Sequence, residues 1–348
     1  MKNQCYTYAL LILMAIPFCS FAQKLGTKSV SVKYTQLPLE PLAEDIQSYS
    51  TMMRSGYLLF NNRERFERDY LKVLDGYQHD ASGNGDLMIL ATFRGLDIVS
   101  IEEKHSTNKD ETTYNHRYEI TYTFPVLLQM YDQNNNYLID MELSDLNQEF
   151  TATFGQSEKF EDFETLDRAF KEGKGDFIVE LENKQAAKQM RKGRELIRNN
   201  YALIKRTKKI RIGYGKGRKK NYSDLDKATD LAYRGYALMS RGEDGLVEFQ
   251  QAIGIWKSAL KETDLRDKKA RINQKIARWL NYNCAMAYAW LDDYDSAMKY
   301  VIETEVMKHK GVFAASFNAA ELRAFVTEKQ KRYEANKKPK EYIAEEND

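Results

Sequence analysis

The chain has 348 residues, of which 43% are hydrophobic and 12% aromatic, and its 53 basic and 51 acidic residues nearly cancel. This composition excludes a disordered polypeptide, which has too few apolar and aromatic residues to form a core. The length predicts two domains, each able to bury a core of its own.

The N-terminus has the order of features of a cleavable secretory signal. Lys2 supplies a positive charge, residues 8–18 form an almost unbroken apolar run, and Ser20-Phe21-Ala22 provides the small residues that a signal peptidase inspects. The apolar run is too short to cross a bilayer of ~30 Å, and no later stretch predicts a transmembrane segment. We expect residues 1–22 to be removed by cleavage after Ala22. The mature protein is then exported, and is periplasmic or associated with the outer membrane.

Residues 23–222 are predicted to form a β-rich domain, either a sandwich or a half-open barrel. Short alternating apolar runs separated by turn residues are typical of these folds. The clearest run is a hairpin: residues 118–131 form a strand that continues past Pro125, residues 132–136 turn, and residues 137–139 return.

A helical insertion is predicted at about 161–206 within this domain. Its apolar spacing indicates a short helix ended by Gly173 and Gly175, followed by a longer helix over 181–204. The alternation over 208–214 then predicts a last strand that returns to the β-rich domain.

The apolar period is helical from residue 223 to residue 335, and residues 336–348 form a charged tail. Five helices are predicted in this region, at about 224–241, 246–262, 267–291, 294–308 and 313–333. The predicted fold class is therefore α+β, with an N-terminal β-rich domain followed by a C-terminal all-α domain.

One stretch of the helical domain carries a repeat signature. Cys284, Ala285 and Tyr288 stand at the Leu, Gly and Tyr positions of the first helix of the tetratricopeptide pattern. Ala297 and Val301 stand at the Ala and Phe positions of the second helix, although the Trp and Pro of the pattern are missing. The domain thus resembles a short tetratricopeptide-like array, and the resemblance implies binding of peptides or partner proteins on a concave face. The order of a secretory signal, a β-rich domain and helical repeats is also similar to that of exported repeat proteins of Bacteroidetes. This resemblance implies no particular activity.

These features predict a non-catalytic binding or scaffold protein of the cell envelope that engages a protein or peptide partner through its helical array. The aromatic residues of the array are predicted to line the binding groove: Tyr236, Trp256, Trp279, Tyr288 and Trp290.

Charge is strongly segregated along the chain. Residues 184–220 contain fifteen basic residues and one acidic residue, whereas residues 102–182 contain 19 acidic and seven basic residues. One interpretation is that the basic segment helps envelope assembly by binding anionic lipid or lipopolysaccharide, with amides around Gly213, Gly215 and Gly217 adding an anion nest. The side chains predicted to bind the anion are Lys205, Arg206, Lys216, Arg218, Lys219 and Lys220.

The other interpretation is that the acidic β-rich domain neutralises the basic segment internally. Nucleic acid is not expected, because the segment has few interleaved aromatic residues and follows a secretory signal.

No local motif for catalysis, a metal or a cofactor is present. The histidines form no H-x-x-x-H pair, although His105 and His116 flank a polar loop and can meet across a hairpin. Residues 132–136 imitate an EF-hand loop but lack its Gly and Glu, so they predict a turn instead. Cys284, the only cysteine left after signal cleavage, lies at an apolar helical position and predicts a core residue. We expect no enzyme; the alternative is a hydrolase whose carboxylates come from distant loops.

Overall fold

In this computed structural model, two compact units are formed within the ranges that the structure describes. Those ranges are residues 24–55, 63–107, 114–155, 160–217, 220–307 and 318–337. Residues 24–34 and 205–333 form the first, which we call the helical unit. Residues 35–204 and 334–337 form the second, which we call the strand-rich unit. The predicted signal peptide, residues 1–22, lies outside the described residues.

Strands dominate the N-terminal part of the chain. The strands are β1 (Lys24–Gln36), β2 (Ser48–Arg54), β3 (Gln78–His79), β4 (Leu87–Phe93), β5 (Asp97–Thr107), β6 (Tyr114–Thr123), β7 (Val126–Asp132), β8 (Tyr137–Ser144), β9 (Glu149–Phe154), β10 (Ile204–Lys216), β11 (Thr263–Asp264) and β12 (Ile272–Asn273).

Helices dominate the C-terminal part, so the predicted α+β class is confirmed. The helices are α1 (Arg63–Tyr70), α2 (Phe163–Tyr201), α3 (Ser223–Ser240), α4 (Leu246–Leu260), α5 (Gln274–Trp290), α6 (Tyr294–Val306) and α7 (Ala319–Lys337). Within the described ranges, none of these helices is both long enough and apolar enough to span a bilayer.

The strand-rich unit contains two sheets, the short helix α1 and the long helix α2. One sheet has the order β3-β2-β4-β7-β8, and the other has the order β5-β6-β9. Strand β2 runs parallel to β3 and β4, whereas the other neighbours are antiparallel. The central strand β4 reads Leu-Met-Ile-Leu-Ala-Thr-Phe, a nearly continuous apolar run that suits burial on both faces. Its Leu87 and Ile89 share one core with Met190 and Ile197 of α2.

The predicted hairpin is present as β7 and β8. The Asp132 carboxylate accepts hydrogen bonds from the backbone N–H groups of Asn134 and Asn136, both at 2.8 Å, and Asn135 adopts a φ of 62°. The prediction of one strand over 118–131 is wrong, because β6 belongs to the three-stranded sheet and β7 to the five-stranded sheet. The change of sheet occurs at Pro125, which has no N–H group to continue a ladder.

Helix α2 is continuous, and the predicted break at Gly173 and Gly175 is wrong. Asp162 begins the helix by accepting a hydrogen bond from the backbone N–H of the residue three positions later, at 2.8 Å. Each glycine costs about 0.5–1 kcal/mol in a helix interior. Burial of Phe170 before the glycines and of Leu181 after them offsets this cost, since an apolar side chain contributes roughly 1.5–3 kcal/mol when buried.

The helical unit is built from neighbouring helix pairs. Helix α3 packs on α4, α5 packs on α6, and α4 also contacts α5. Ala285 and Ala297, the small residues of the repeat signature, are fully buried. The predicted helices are confirmed within a few residues, except that α5 begins at Gln274. The last helix, α7, begins at Ala319, and the predicted part before residue 318 lies outside the described residues. Membership of the tetratricopeptide family stays a prediction.

A two-stranded sheet of β1 and β10 also belongs to the helical unit, so the predicted return of residues 208–214 to the β-rich domain is wrong. The reason is that the inward side chains of the two strands, Val30 and Val32 on β1 and Ile210 and Ile212 on β10, join the helical core. The predicted all-α domain therefore contains a β ribbon that begins far upstream in the sequence.

Candidate functional site

The predicted aromatic groove is wrong, because most of its residues lie in the core of the helical unit. Four of the five side chains have 4% or less of their surface exposed: Tyr236, Trp256, Trp279 and Trp290. Tyr288 is half-buried and stacks on Tyr300 with ring centroids 5.7 Å apart. It borders a cavity of about 440 Å³ between α4 and α5, which also includes Ile253 and Gly254. The structure therefore leaves one predicted groove residue at a surface.

The predicted anion-binding side chains are exposed wherever the structure describes them. Lys205 and Arg206 lie at the start of β10, Lys216 lies at its end, and Lys220 follows. The other two predicted residues, Arg218 and Lys219, lie outside the described residues. The basic segment is divided between two elements: α2 carries its first half in the strand-rich unit, and β10 carries its second half in the helical unit.

The anion nest predicted at the glycines is not formed by Gly213 and Gly215, which lie inside β10. The N–H group of Gly213 donates to Oδ1 of Asn283 at 3.1 Å, and its carbonyl accepts from Nδ2 of Asn283 at 2.7 Å. Gly213 is also so close to Trp279 that a Cβ would lie 2.3 Å from the indole ring. These two glycines serve close packing, and their amides do not form a turn that receives an anion.

His105 and His116 do meet across a pair of strands. They are directly opposite each other in β5 and β6, with ring centroids 6.3 Å apart, and Nδ1 of His116 lies 2.9 Å from Oε1 of Glu103. Within the described ranges, no group of three or more histidine, cysteine and carboxylate side chains is arranged to hold a metal ion. Cys284 is a core residue as predicted, and burial raises the pKa of its thiol.

A larger cavity of about 970 Å³ lies within the strand-rich unit, between β9 and α2. Its size is at the upper end of ordinary ligand pockets. Every residue from Glu149 to Gly155 borders it, so the cavity follows β9 along its whole length. Strand β9 is the last strand of its sheet, and no other described strand pairs with its free side. An edge strand of this kind presents a row of N–H and C=O groups without ladder partners.

The helix and the strand run side by side in opposite directions. Nζ of Lys188 lies 5.7 Å from the ring centroid of Phe150, near the start of β9. At the other end, the rings of Phe154 and Phe177 meet edge to face at 5.4 Å. These contacts bring later helix residues beside earlier strand residues. Together with Ala152, the aromatic rings give the cavity apolar surface.

Charged and polar side chains of α2 border the same cavity. Glu180, Lys184 and Lys188 are exposed and four residues apart, so they form one row along the helix. Gln185 is only 4% exposed, and its side-chain Nε2 has no hydrogen-bond partner within the described structure. A buried amide donor without a partner is unusual, because most buried polar groups in proteins are hydrogen-bonded. The cavity therefore combines a strand edge, an aromatic surface and a buried donor that has no partner within the described structure.

Buried polar residues continue along α2 beyond the cavity. Gln189 is fully buried and both polar atoms of its amide lack partners among the described residues. Glu182 is 5% exposed, and its Oε1 accepts a hydrogen bond of 3.1 Å from the N–H of Leu96. Burial raises the pKa of the Glu182 carboxyl. Sequence reasoning missed this site, because local apolar patterns do not reveal which strand lies at the edge of a sheet.

No protein family's sequence profile matches the chain, and no curated protein is significantly similar to it in sequence. A solved neuraminyllactose-binding hemagglutinin homolog from Helicobacter pylori aligns with 11% identity and a TM-score of 0.21, over 46% of this chain and 97% of that chain. A PDZ domain protein from Parabacteroides distasonis aligns with 11% identity and a TM-score of 0.18, over 59% of this chain and 42% of that chain. At these TM-scores neither likeness carries an argument about fold or function.

Proposed function

We propose that this protein is an exported, non-catalytic binding protein that accepts an extended polypeptide segment of a partner as an additional strand on β9. The observation that carries the proposal is the cavity of about 970 Å³ that follows the free edge of β9 beside α2. The proposal keeps the predicted class of function, protein or peptide binding. It moves the site from the aromatic residues of the helical array to the strand-rich unit.

Strand addition is supported by what the cavity offers to a ligand. Backbone groups of an edge strand form main-chain hydrogen bonds with any extended segment, and neighbouring side-chain pockets then give specificity. The aromatic surface of Phe150, Phe154 and Phe177 supplies apolar contacts. An enzyme active site would instead need titratable groups that converge on one point. In this cavity Glu180, Lys184 and Lys188 follow one another along the helix.

Amide hydrogen exchange tests the proposal directly. The probe is a panel of synthetic, strand-forming peptides of about eight residues, somewhat longer than an average strand. Binding should slow exchange at residues 149–155, because edge amides that exchange readily become hydrogen-bonded. The helical unit serves as the internal control, and its exchange should not change.

Alternate N-methylation of the peptide separates strand pairing from loose contact. Methylation of one alternate set of peptide nitrogens removes the donors that face β9 and should abolish protection, whereas methylation of the other set should leave it. Equal binding of both methylated peptides and the parent would show that no ladder forms, and the proposal would fail.

The basic segment supports a second candidate function, recognition of envelope anions. Lys205, Lys209 and Arg211 lie on the same face of β10 and are exposed. Within the described ranges, none of the three forms an ion pair. A row of cations on one strand face attracts anionic lipid or lipopolysaccharide. Co-sedimentation with lipopolysaccharide or anionic vesicles should therefore fall with rising salt and when these three residues become Gln. Co-sedimentation that is insensitive to both changes would exclude this function.

Export is part of the same proposal and rests on residues 1–22. N-terminal sequencing of the protein isolated from the periplasm or the outer membrane should begin at Gln23. Recovery of the uncleaved chain from the cytosol would contradict it.

A further inference from the structure

The row of charges beside the cavity carries information about the segment that the cavity accepts. Glu180, Lys184 and Lys188 are exposed, border the cavity and follow one another at intervals of four residues. Four helical residues advance the chain by about 6 Å. The charges are therefore evenly spaced along the rim in the order negative, positive, positive.

This spacing matches the repeat of an extended chain. Side chains on one face of a strand recur every two residues, at about 6.6–6.8 Å. Over two repeats the strand and the helix differ by only about 1–2 Å, a gap that long charged side chains can bridge. Three alternate side chains of an added strand can thus face the three helix charges in order.

The direction of the added strand follows from the sheet. Every neighbouring pair in β5-β6-β9 is antiparallel, and antiparallel pairing is slightly more stable per residue. Because α2 runs antiparallel to β9, a strand added antiparallel to β9 runs in the same direction as α2. Its earlier residues face Glu180 and its later residues face Lys188.

We infer that the preferred ligand is an extended polypeptide segment with the pattern basic-x-acidic-x-acidic, read from its N-terminus. Its basic side chain pairs with Glu180, and its two acidic side chains pair with Lys184 and Lys188. The buried Nε2 group of Gln185, which lies between the two lysines in sequence, donates to a backbone carbonyl of the segment. This inference rests on the proposed strand addition and specifies the partner for that site.

Three labelled peptides on one strand-forming host test the pattern in fluorescence anisotropy with the full-length protein. The first carries Lys-x-Glu-x-Glu, the second carries Glu-x-Glu-x-Lys with identical composition, and the third carries Glu-x-Lys-x-Lys. The second peptide turns two attractive pairs into repulsive ones, and exposed pairs each change affinity by a few-fold. We expect the first peptide to bind about tenfold more tightly than the second, with the ratio shrinking at high salt.

Charge-reversed variants provide the matched comparison. The Lys184→Glu and Lys188→Glu double variant should lose its preference for the first peptide and favour a Lys-x-Lys-x-Lys peptide. Lys192→Glu is the control, because Lys192 is exposed on the same helix but does not border the cavity. It should leave the peptide ranking unchanged.

Gln185→Leu distinguishes a binding role from a structural one. Removing a buried donor without a partner should leave the free protein as stable or more stable, while peptide affinity falls several-fold. A loss of stability with unchanged affinity would assign the amide to the fold instead and remove it from the binding site.

The outcomes separate this inference from the proposed function. Equal affinity for all three peptides, with protection of residues 149–155 retained, would overturn the charge pattern and leave strand addition standing. Tighter binding of Glu-x-Glu-x-Lys would overturn the assigned direction. If no peptide protects β9, strand addition itself fails, and this inference fails with it.

Discussion

Replacing Gly213 with alanine should destabilise the helical unit while leaving the strand-rich unit intact. Gly213 lies in β10, and a Cβ built on it would lie 2.3 Å from Cδ2 and 2.4 Å from Cε3 of Trp279. Real side chains do not tolerate such distances, so either the indole or the strand must move. Trp279 is 1% exposed, which leaves its ring little room to move.

The size of the effect follows from the contacts at this glycine. Overpacking a well-filled core costs about 1–3 kcal/mol. Asn283 holds the strand through two hydrogen bonds to Gly213, at 3.1 and 2.7 Å, so a shift of the strand weakens both. Each such bond contributes about 0.5–1.5 kcal/mol net. We therefore expect the free energy of unfolding of the helical unit to fall by about 2–4 kcal/mol.

Urea unfolding followed by tryptophan fluorescence measures this effect in the correct unit. The chain has three tryptophans, Trp256, Trp279 and Trp290, and all three are buried within the helical unit. With a urea dependence of about 2 kcal/mol per molar, the midpoint should fall by about 1–2 M. Hydrogen exchange of β4 and β7 then reports whether the strand-rich unit stays folded.

Gly217→Ala is the matched control, because nothing lies within 4 Å of the position where its Cβ would be. Its free energy of unfolding should stay within about 0.5 kcal/mol of that of the parent protein. A Gly213→Ala protein as stable as the Gly217→Ala protein would refute the packing of β10 on α5. It would then favour the sequence prediction in which this strand belongs to the β-rich domain.

Two further predictions concern buried titratable groups. Burial raises the pKa of the Glu182 carboxyl in the folded state above its value in the unfolded state. The contribution of this carboxyl to the free energy of unfolding is therefore fully present below the unfolded pKa and is lost as the pH rises through the folded pKa. Glu182→Gln keeps an oxygen for the Leu96 N–H and should be more stable than the parent at neutral pH but not at about pH 4 in urea titrations; a difference independent of pH would contradict this. Burial also raises the pKa of the Cys284 thiol. A thiol reagent should therefore label Cys284 only under conditions in which tryptophan fluorescence shows that the helical unit unfolds. Rapid labelling in native buffer would show that this core opens without unfolding.

Local patterns in the sequence were sufficient for the elements that depend on neighbours along the chain. The turn at residues 132–136 was predicted because Asn and Asp tolerate positive φ, and Asn135 has a φ of 62°. Helix α6 was predicted at about its observed bounds because its apolar residues recur with the helical period, and the structure shows that the Asp293 side chain caps it. The buried position of Cys284 followed from the same period.

Tertiary structure decided what local patterns leave open. The run over 208–214 reads as a strand in either unit, and only the packing of Ile210 and Ile212 with the helical core decided its place. The aromatic residues predicted for a groove could equally fill a core, because large apolar side chains suit both places. The candidate site depends on β9 being the edge of its sheet and on α2 running beside it. Strand order and the distance between elements arise from contacts between residues far apart in the chain, and no local periodicity encodes them.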